Sequence, residues 1–427
     1  MSKSYSRRHL LARLAPIAQD HLLDDAHKDF VQKVPRRPVE RGEPVRIGVV
    51  GYGNMGGGHV DGLLRAREDG ASNLEVAAVC DVNANRRETC GALLRERQPG
   101  VRVTEHLDHR EMYAREDLHA ILVATPEHWH ATHAVHALEF GKDVYLEKPM
   151  TLELEESYWL LHAAARANDA IVQIGTQWLM HPKFEQARQL VESGALGTVV
   201  SSIVAFGRNS KEGEWLYPID ETLEPGERLD WERWCGPLGL QPWDRVVYHR
   251  WRRYRKYSTG ILGDILSHLI APMLYAIDEG LPVRCTAHGA NMVDFEMENH
   301  DQVVGHVEFE SGHVLTALGS TCNDRGAPWM IRGNRAELLL GRSDARLVPQ
   351  SAWSDFEDET EKFTLPFDDI QQDLRIDWVR AVRTRRANRS GVELGFQHMV
   401  VVELMSRAAR TGRAWRFDPV TGRMFPE

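Results

Sequence analysis

The sequence predicts a doubly wound parallel-sheet α/β domain followed by an α+β domain built on an antiparallel sheet. Three observations carry that expectation. An apolar run, Val45-Arg46-Ile47-Gly48-Val49-Val50, leads straight into Gly51-Tyr52-Gly53-Asn54-Met55-Gly56, a buried-strand pattern followed by G-x-G-x-x-G. Strand and helix patterns then alternate as far as Ile174. Beyond that point strand-like segments follow one another without regular helical crossovers.

In order, a helix is expected from about Met55 to Glu68, then the strand Leu74 to Cys80, which ends on Asp81. A helix pattern runs from Ala84 to Arg97, and Val101-Arg102-Val103 reads as a short strand. Ala120 to Ala124 is continuously apolar, as befits a parallel strand buried on both faces. His130 to Phe140 reads as a helix closed by Gly141, and Asp143 to Leu146 as the next strand. A helix over Leu152 to Asn168 and a strand over Ile171 to Ile174 complete a domain of residues 45–175.

Residues 176–427 then read as the second domain. Strands are expected over Val199–Phe206, Val283–Gly289, Val303–Phe309, Val314–Leu318, Trp329–Arg332 and Glu337–Leu340. Glu310-Ser311-Gly312 and Gly333-Asn334 make hairpin turns. The stretch Gly260 to Ile277 is apolar on most faces and so reads as a buried helix. Amphipathic helices close the chain over Asp373–Arg385 and Phe396–Thr411, and 351–369 reads as an acidic surface loop or edge segment.

The glycine loop points to a dinucleotide. Gly51 permits the tight turn, Gly53 lets backbone approach a pyrophosphate, and Gly56 lets the helix pack against the strand. The helix N-terminus, at Asn54 and Met55, offers free N–H groups to phosphates. Asp81 lies thirty residues after Gly51, the length of one βαβ unit, where a carboxylate accepts bonds from ribose hydroxyls. It would repel a 2′-phosphate, so NAD is expected rather than NADP. Arg86 and Arg87 offer a route to NADP, but a solvated helix face is the simpler reading for them.

Composition narrows the partners. Hydrophobic content of 42% and charged content of 27% are ordinary for a globular chain. A net charge of −10 argues against nucleic acid. No apolar run approaches the ~20 residues that span a bilayer, so no membrane is expected. Five scattered cysteines without C-x-x-C suggest neither a disulfide framework nor structural zinc. Ser6-Arg7-Arg8-His9-Leu10-Leu11 looks like a twin-arginine core, but Arg13, Pro16 and several acids interrupt any apolar region behind it. Residues 1–44 therefore read as an exposed arm with a short helical portion. The expected location is cytoplasmic, with twin-arginine export as the alternative.

Two segments fall at C-terminal strand ends, where ligands of doubly wound sheets bind: Thr125-Pro126-Glu127-His128-Trp129-His130 and Glu147-Lys148-Pro149. Both are expected to border the cofactor. Farther on, Asp264 and His268 stand four residues apart, on one face of a helix, where the acid can orient the ring and raise its basicity.

With Gly175-Thr176-Gln177, Gly141-Lys142-Asp143-Val144 and Gly263-Asp264-x-x-x-His268, these motifs resemble the Gfo/Idh/MocA family of glucose–fructose oxidoreductase and inositol dehydrogenase. They span about residues 45–270. Glu393-x-Gly395 and Trp415-x-Phe417-Asp418-Pro419 resemble the longer bacterial members, and Glu127-His128-Trp129-His130 a branch linked to sugars and glycosides. The resemblance implies a Rossmann domain with an open antiparallel sheet used for oligomer contacts. It also implies a catalytic Lys148, Asp264 and His268, and a cofactor-lining set that includes His128, His130, Glu147 and Gln177.

Alcohol oxidation makes sense of the three catalytic residues. His268 takes the hydroxyl proton, Asp264 stabilises the imidazolium, and Lys148 stabilises developing alkoxide charge. The chain departs from the family pattern in two places. Ser258-Thr259-Gly260-Ile261-Leu262-Gly263 stands where many relatives carry three glycines, and a second acid after His268 is replaced by Leu269-Ile270-Ala271.

The expected activity is NAD-dependent oxidation or reduction of a ring hydroxyl on a sugar, glycoside or cyclic polyol. The alternatives are a redox-neutral, NAD-recycling glycoside cleavage and a non-catalytic NAD-binding sensor. His128, His130, His133 and His136 lack a carboxylate at ligand spacing, so cofactor packing or a solvated face is preferred to a metal. The basic aromatic run His249 to Tyr257 reads as a surface or interface strip, with a substrate-facing role left open: stacking on a sugar or binding an acidic group. The apolar strands near Val303 and Val314 call for face-to-face packing in a homodimer or homotetramer, and residues 1–44 are expected to reach a neighbouring subunit.

Overall fold

The structure is a computed structural model that describes residues 30–167, 169–353 and 360–427. The twin-arginine segment and residues 354–359 of the acidic stretch lie outside the described residues.

Six parallel strands form the first sheet in the order β3-β2-β1-β4-β5-β6. They are β1 (Val45–Val50), β2 (Leu74–Cys80), β3 (Thr104–His106), β4 (Ala120–Val123), β5 (Asp143–Leu146) and β6 (Val172–Ile174). Every residue of β4 and β5 is buried, which is why those runs are continuously apolar or paired. The order reverses between β1 and β4, and that switch point opens a crevice at the strand ends. β3 lies three residues beyond its expected place. Gln98 and Val101 close the preceding helix, with the Val101 N–H donating to Gln98 O, so the strand starts only at Thr104.

The second sheet has ten strands among the described residues and is mostly antiparallel, with one parallel pair. β7 (Val199–Gly207) lies between β11 (Trp329–Gly333) and β10 (Val314–Ser320) and runs parallel to β10. The reason is topological. A connection of some seventy residues leaves β7 before the meander of β8 (Pro282–Ala290), β9 (Gln302–Phe309) and β10 begins, and a long crossover is what parallel pairing requires. β12 (Ala336–Leu340), β13 (Asp344–Pro349) and β14 (Glu361–Thr364) extend one edge, and β15 (Trp415–Asp418) and β16 (Arg423–Pro426) the other. One face carries Val303, Val307, Leu315 and Ala317, buried in one core with residues of the helices Ser267–Ile277 and Val392–Thr411. On the opposite face Val304, Val314 and Leu318 are half-buried.

Three further departures from the expected architecture bear on the site. The helix Ile370–Thr384, expected with the second domain, packs Leu374, Trp378 and Val379 into the core of the first sheet beside Ile47 and Val49. Residues 30–44 are not a free arm: Phe30 is buried, Arg36 pairs with Asp143 at 3.3 Å, and the Lys33 N–H donates to Glu139 O. The stretch 217–257 builds its own aromatic cluster of Trp231, Trp234, Tyr248 and Tyr257, with Trp243 and Trp251 against it. This cluster lies over the β2 end of the first sheet, where the Asp230 N–H donates to Val82 O and the Ala84 N–H to Arg228 O. No helix among the described residues is long and apolar enough to cross a membrane.

Candidate active site

At the β1/β4 switch point the glycine loop shows why those residues are glycines. Gly51 has φ +86°, and a Cβ there would sit 2.7 Å from Ala124 O. A Cβ on Gly56 would fall 1.9 Å from Gly51 O, so the helix Asn54–Glu68 can sit this close only without a side chain. Space beside Gly53 is open, with Arg86 Nη1 the nearest atom at 3.8 Å. No side chain caps the helix that follows, so its first amides remain available to an anion.

Asp81 is 7% exposed and borders the same cleft. Its Oδ2 accepts from the Tyr52 N–H at 2.7 Å and its Oδ1 from the Asn83 N–H at 2.8 Å. Each oxygen keeps a further lone pair for a ribose hydroxyl. The loop, the uncapped helix and Asp81 therefore fit a dinucleotide. Arg86 and Arg87 do not form the solvated face expected of them. Arg87 donates to Asp81 O at 2.6 Å, and Arg86 lies 5.4 Å from the Tyr248 ring centroid and borders the cleft.

The cleft has a volume of about 580 Å³ and runs from this loop to Lys148, Asp264 and His268. Lys148 Nζ donates to Asp264 Oδ1 at 2.9 Å and to Asp264 O at 2.5 Å, which leaves its third N–H free for a ligand. Arg252 Nε reaches the same Oδ1 at 3.3 Å. Burial acts to raise the Asp264 carboxyl, but Lys148 and Arg252 outweigh it and hold the group well below the usual carboxylate range.

His268 borders the cleft, and its Nδ1 has no hydrogen-bond partner among the described residues. Asp264 thus clamps Lys148 and makes no hydrogen bond to the histidine ring. Burial, followed by the Lys148 charge, pushes the His268 imidazole down to about 3, so it is neutral at ordinary pH. The helix expected across both residues is interrupted. Ile261–Leu266 forms a π-helical turn and the α-helix begins at Ser267. Gly260 opens the turn at φ +61°, where a Cβ would meet the Asn299 side chain at 2.6 Å.

Glu147 holds the Lys148 segment. It accepts from the Lys148 N–H at 3.2 Å and lies 2.7 Å from His59 Nε2. Arg375 Nε donates to His59 Nδ1, so the proton is on Nε2 and points at Glu147. Burial acts to raise the Glu147 carboxyl, and the His59 hydrogen bond, with the charge of Lys148, brings it below its usual range. Thr125, Pro126, His130 and Gln177 border the cleft, and both ring nitrogens of His130 face carbonyls, of Pro149 and Thr125. His128 does not border it. Its Nε2 donates to Trp234 O at 2.8 Å, and the ring packs against Trp234 and Tyr257. His133 and His136 are held by Tyr113 and His109 rather than by solvent. Among the described residues no group of three or more His, Cys, Asp or Glu is arranged around a metal position.

Sequence reasoning missed the role of Glu127 and the cleft positions of Arg208 and Tyr217. Glu127, read only as part of a motif, is buried and accepts from Ser258 Oγ at 2.6 Å, the Thr259 N–H at 2.7 Å and Thr259 Oγ1 at 2.8 Å. It ties the β4 loop to the segment just before the π-turn. Burial, helped by the Asp264 charge, raises its carboxyl to about 7. The end of the cleft around Lys148 and Asp264 is also lined by Arg208, Tyr217, Trp251 and Arg252. The run His249 to Tyr257 is therefore not simply a surface strip. The signal was its W-R pair, but only the fold shows which members turn inward.

Comparison with known proteins agrees with this geometry. The pattern of an oxidoreductase family's NAD-binding Rossmann fold, that of Gfo/Idh/MocA, matches residues 45–176, and that of the family's C-terminal alpha/beta domain matches 239–417. An inositol 2-dehydrogenase from Rhodococcus erythropolis is 34% identical over 155 residues, 36% of this chain. The chain spans 42% of that relative's length, less than half. Inositol 2-dehydrogenase 1 of Saccharopolyspora erythraea is 28% identical over 303 residues, covering 71% of this chain and 80% of that one. The solved structure of a levoglucosan dehydrogenase in complex with NADH superposes with a TM-score of 0.66 at 18% identity, over 87% of this chain and 98% of that one. At that identity the likeness speaks for the fold alone.

Proposed function

Because the chain belongs to the Gfo/Idh/MocA oxidoreductase family, we propose that it oxidises or reduces a ring hydroxyl of a sugar, glycoside or cyclic polyol, with NAD as its cofactor. The observation that carries this reading is the Lys148–Asp264 pair at 2.9 Å, in one cleft with His268 and the Gly51–Gly53 turn. Gly51, Gly53, Asn54, Met55 and Asp81 would hold the dinucleotide, with Thr125, Pro126, His130, Glu147 and Gln177 along its course. A bound nicotinamide supplies the hydride acceptor.

The chain's own residues do the rest. Lys148 directs its remaining N–H to the substrate oxygen and steadies the charge that grows there. Asp264 fixes the ammonium in position. His268, uncharged at neutral pH, accepts the hydroxyl proton. Asp81 favours NAD because a 2′-phosphate would meet its carboxylate, although Arg86 stands close by.

The half-buried outer face of the second sheet, with Val304, Val314 and Leu318, suits contact with a second copy. A homodimer or homotetramer acting in the cytoplasm completes the reading. Light scattering at micromolar concentration checks the first part, and a monomer would refute it.

The function is tested by incubating the protein and NAD with a panel of sugars, glycosides and cyclic polyols, following NADH absorbance and analysing products. Accumulating NADH with a ketone product is the expected result. Glycoside cleavage without NADH would replace it with the redox-neutral reading. Bound NAD without any product would replace it with a sensor.

A further inference from the structure

We propose that the substrate of this site carries a carboxylate, as a sugar acid or its glycoside does, and that Arg252 binds it. The inference rests on the dehydrogenase reading above and names its substrate class. Arg252 borders the cleft beside Lys148 and His268. Its Cζ lies 4.2 Å from the Trp251 ring centroid and 6.0 Å from that of Tyr217, so two aromatic rings hold the guanidinium in place. The side chain is 19% exposed, and only Nε is engaged, by Asp264. Among the described residues Nη1 and Nη2 have no hydrogen-bond acceptor. A planar fork with its outer donors free matches the two oxygens of a carboxylate.

Charge points the same way. Asp264 is shared by two cations, Lys148 at 2.9 Å and Arg252 at 3.3 Å, while the other carboxylate beside Lys148, Glu147, faces His59 rather than Arg252. Arg208, the next cation along the cleft, has its own partner in Glu214 at 3.1 Å. Glu127 spends its oxygens on Ser258 and Thr259. Lys148 Nζ and Arg252 Nε flank the same Asp264 oxygen and so stand no more than about 6 Å apart, with Nη1 and Nη2 farther along the guanidinium. A ligand with a hydroxyl on Lys148 and a carboxylate on Arg252 is therefore about one sugar ring across.

The test uses the full-length protein saturated with NAD. D-glucuronate, D-galacturonate and their methyl glycosides are compared with D-glucose, D-galactose and theirs, by calorimetry and by NADH formation. At least one uronate should bind or react about tenfold or more better than its neutral partner, with the advantage shrinking in added salt. Arg252→Gln should cost the uronate about ten- to a hundredfold more than it costs its neutral partner. Equal or better use of the neutral sugars, or no binding of any uronate to the NAD-loaded protein, would overturn the assignment, and the wild-type comparison alone decides this. If NAD itself failed to bind, the dehydrogenase reading would fall instead, so the two failures are told apart.

Discussion

Glu127→Gln isolates a single buried carboxyl whose neighbours are all known. The wild-type group accepts three hydrogen bonds, from Ser258 Oγ, Thr259 N and Thr259 Oγ1. Burial and the Asp264 charge raise it from 4.5 to about 7. Below about pH 4.5 it is protonated both folded and unfolded, and its contribution to stability is fully present. As pH rises toward 7 the unfolded chain releases the proton first while the folded protein retains it, so stability is lost across that window. A rise of some 2.5 units at about 1.36 kcal/mol each is a loss of about 3 kcal/mol by pH 8.

Glutamine cannot ionise and escapes that loss. At about pH 5 the variant should be less stable than wild type by about 1 kcal/mol, because its amide meets donors on both sides. By about pH 8 the difference should move in the variant's favour by about 3 kcal/mol. Urea denaturation of both proteins in steps from pH 5 to pH 8 measures it, and the other titrating groups cancel in the difference. A difference that stays flat across the series would refute the buried, titrating Glu127.

Two substitutions in the site have equally definite outcomes. His268→Ala should slow turnover by about 10²–10⁴-fold with NAD affinity unchanged, measured by steady-state kinetics and calorimetry; unchanged turnover would remove it as the base. Because burial pushes His268 down to about 3, its own titration should contribute no rise in rate between about pH 5 and pH 8, and wild-type and Glu127→Gln pH profiles should differ near 7 instead. Asp81→Ala should weaken NAD binding by about ten- to a hundredfold, the worth of a charged hydrogen bond, and narrow the NAD-to-NADP preference. An unchanged preference would mean that Arg86 and not Asp81 reads the ribose.

How much of this was legible in the sequence depends on the range of the interaction. The glycine loop, Asp81 and the bounds of β5 follow from local chemistry, in which each residue type suits its own backbone. Asp264 and His268 stand out in the sequence because their spacing is local too, although the π-turn that carries Asp264 is not visible there. Glu127 was not legible as a clamp, since its partners Ser258 and Thr259 lie more than 130 residues away. Trp378 reads as one apolar residue of an amphipathic helix, and nothing near it says that it packs edge-on against Tyr145 of the other domain at 5.5 Å. The parallel β7–β10 pair is a matter of connection length, which strand patterns do not encode. Arg252 sits among five Arg and Lys residues between 250 and 256, and which of them turn inward cannot be read without the turn that Trp251–Arg253 makes.

The aromatic cluster of 217–257 gives these long-range contacts a common consequence. It grips the first domain at the loops that flank the adenosine end of the cleft: Asn83 Nδ2 donates to Tyr248 Oη, Arg233 pairs with Asp108, and His128 and Trp129 both donate to Trp234 O. Glu127, one residue before His128, fastens the other side of that loop to the turn that carries Asp264. The β4 loop is thus held between the cluster and the catalytic turn, and a shift in one is passed to the other through packed groups rather than solvent. If this cleft holds NAD, the same contacts brace both the cofactor loop and the turn that carries Asp264. Loosening the loop at Glu127 should therefore raise the KM for NAD and lower kcat together, whereas loss of His268 should lower kcat alone.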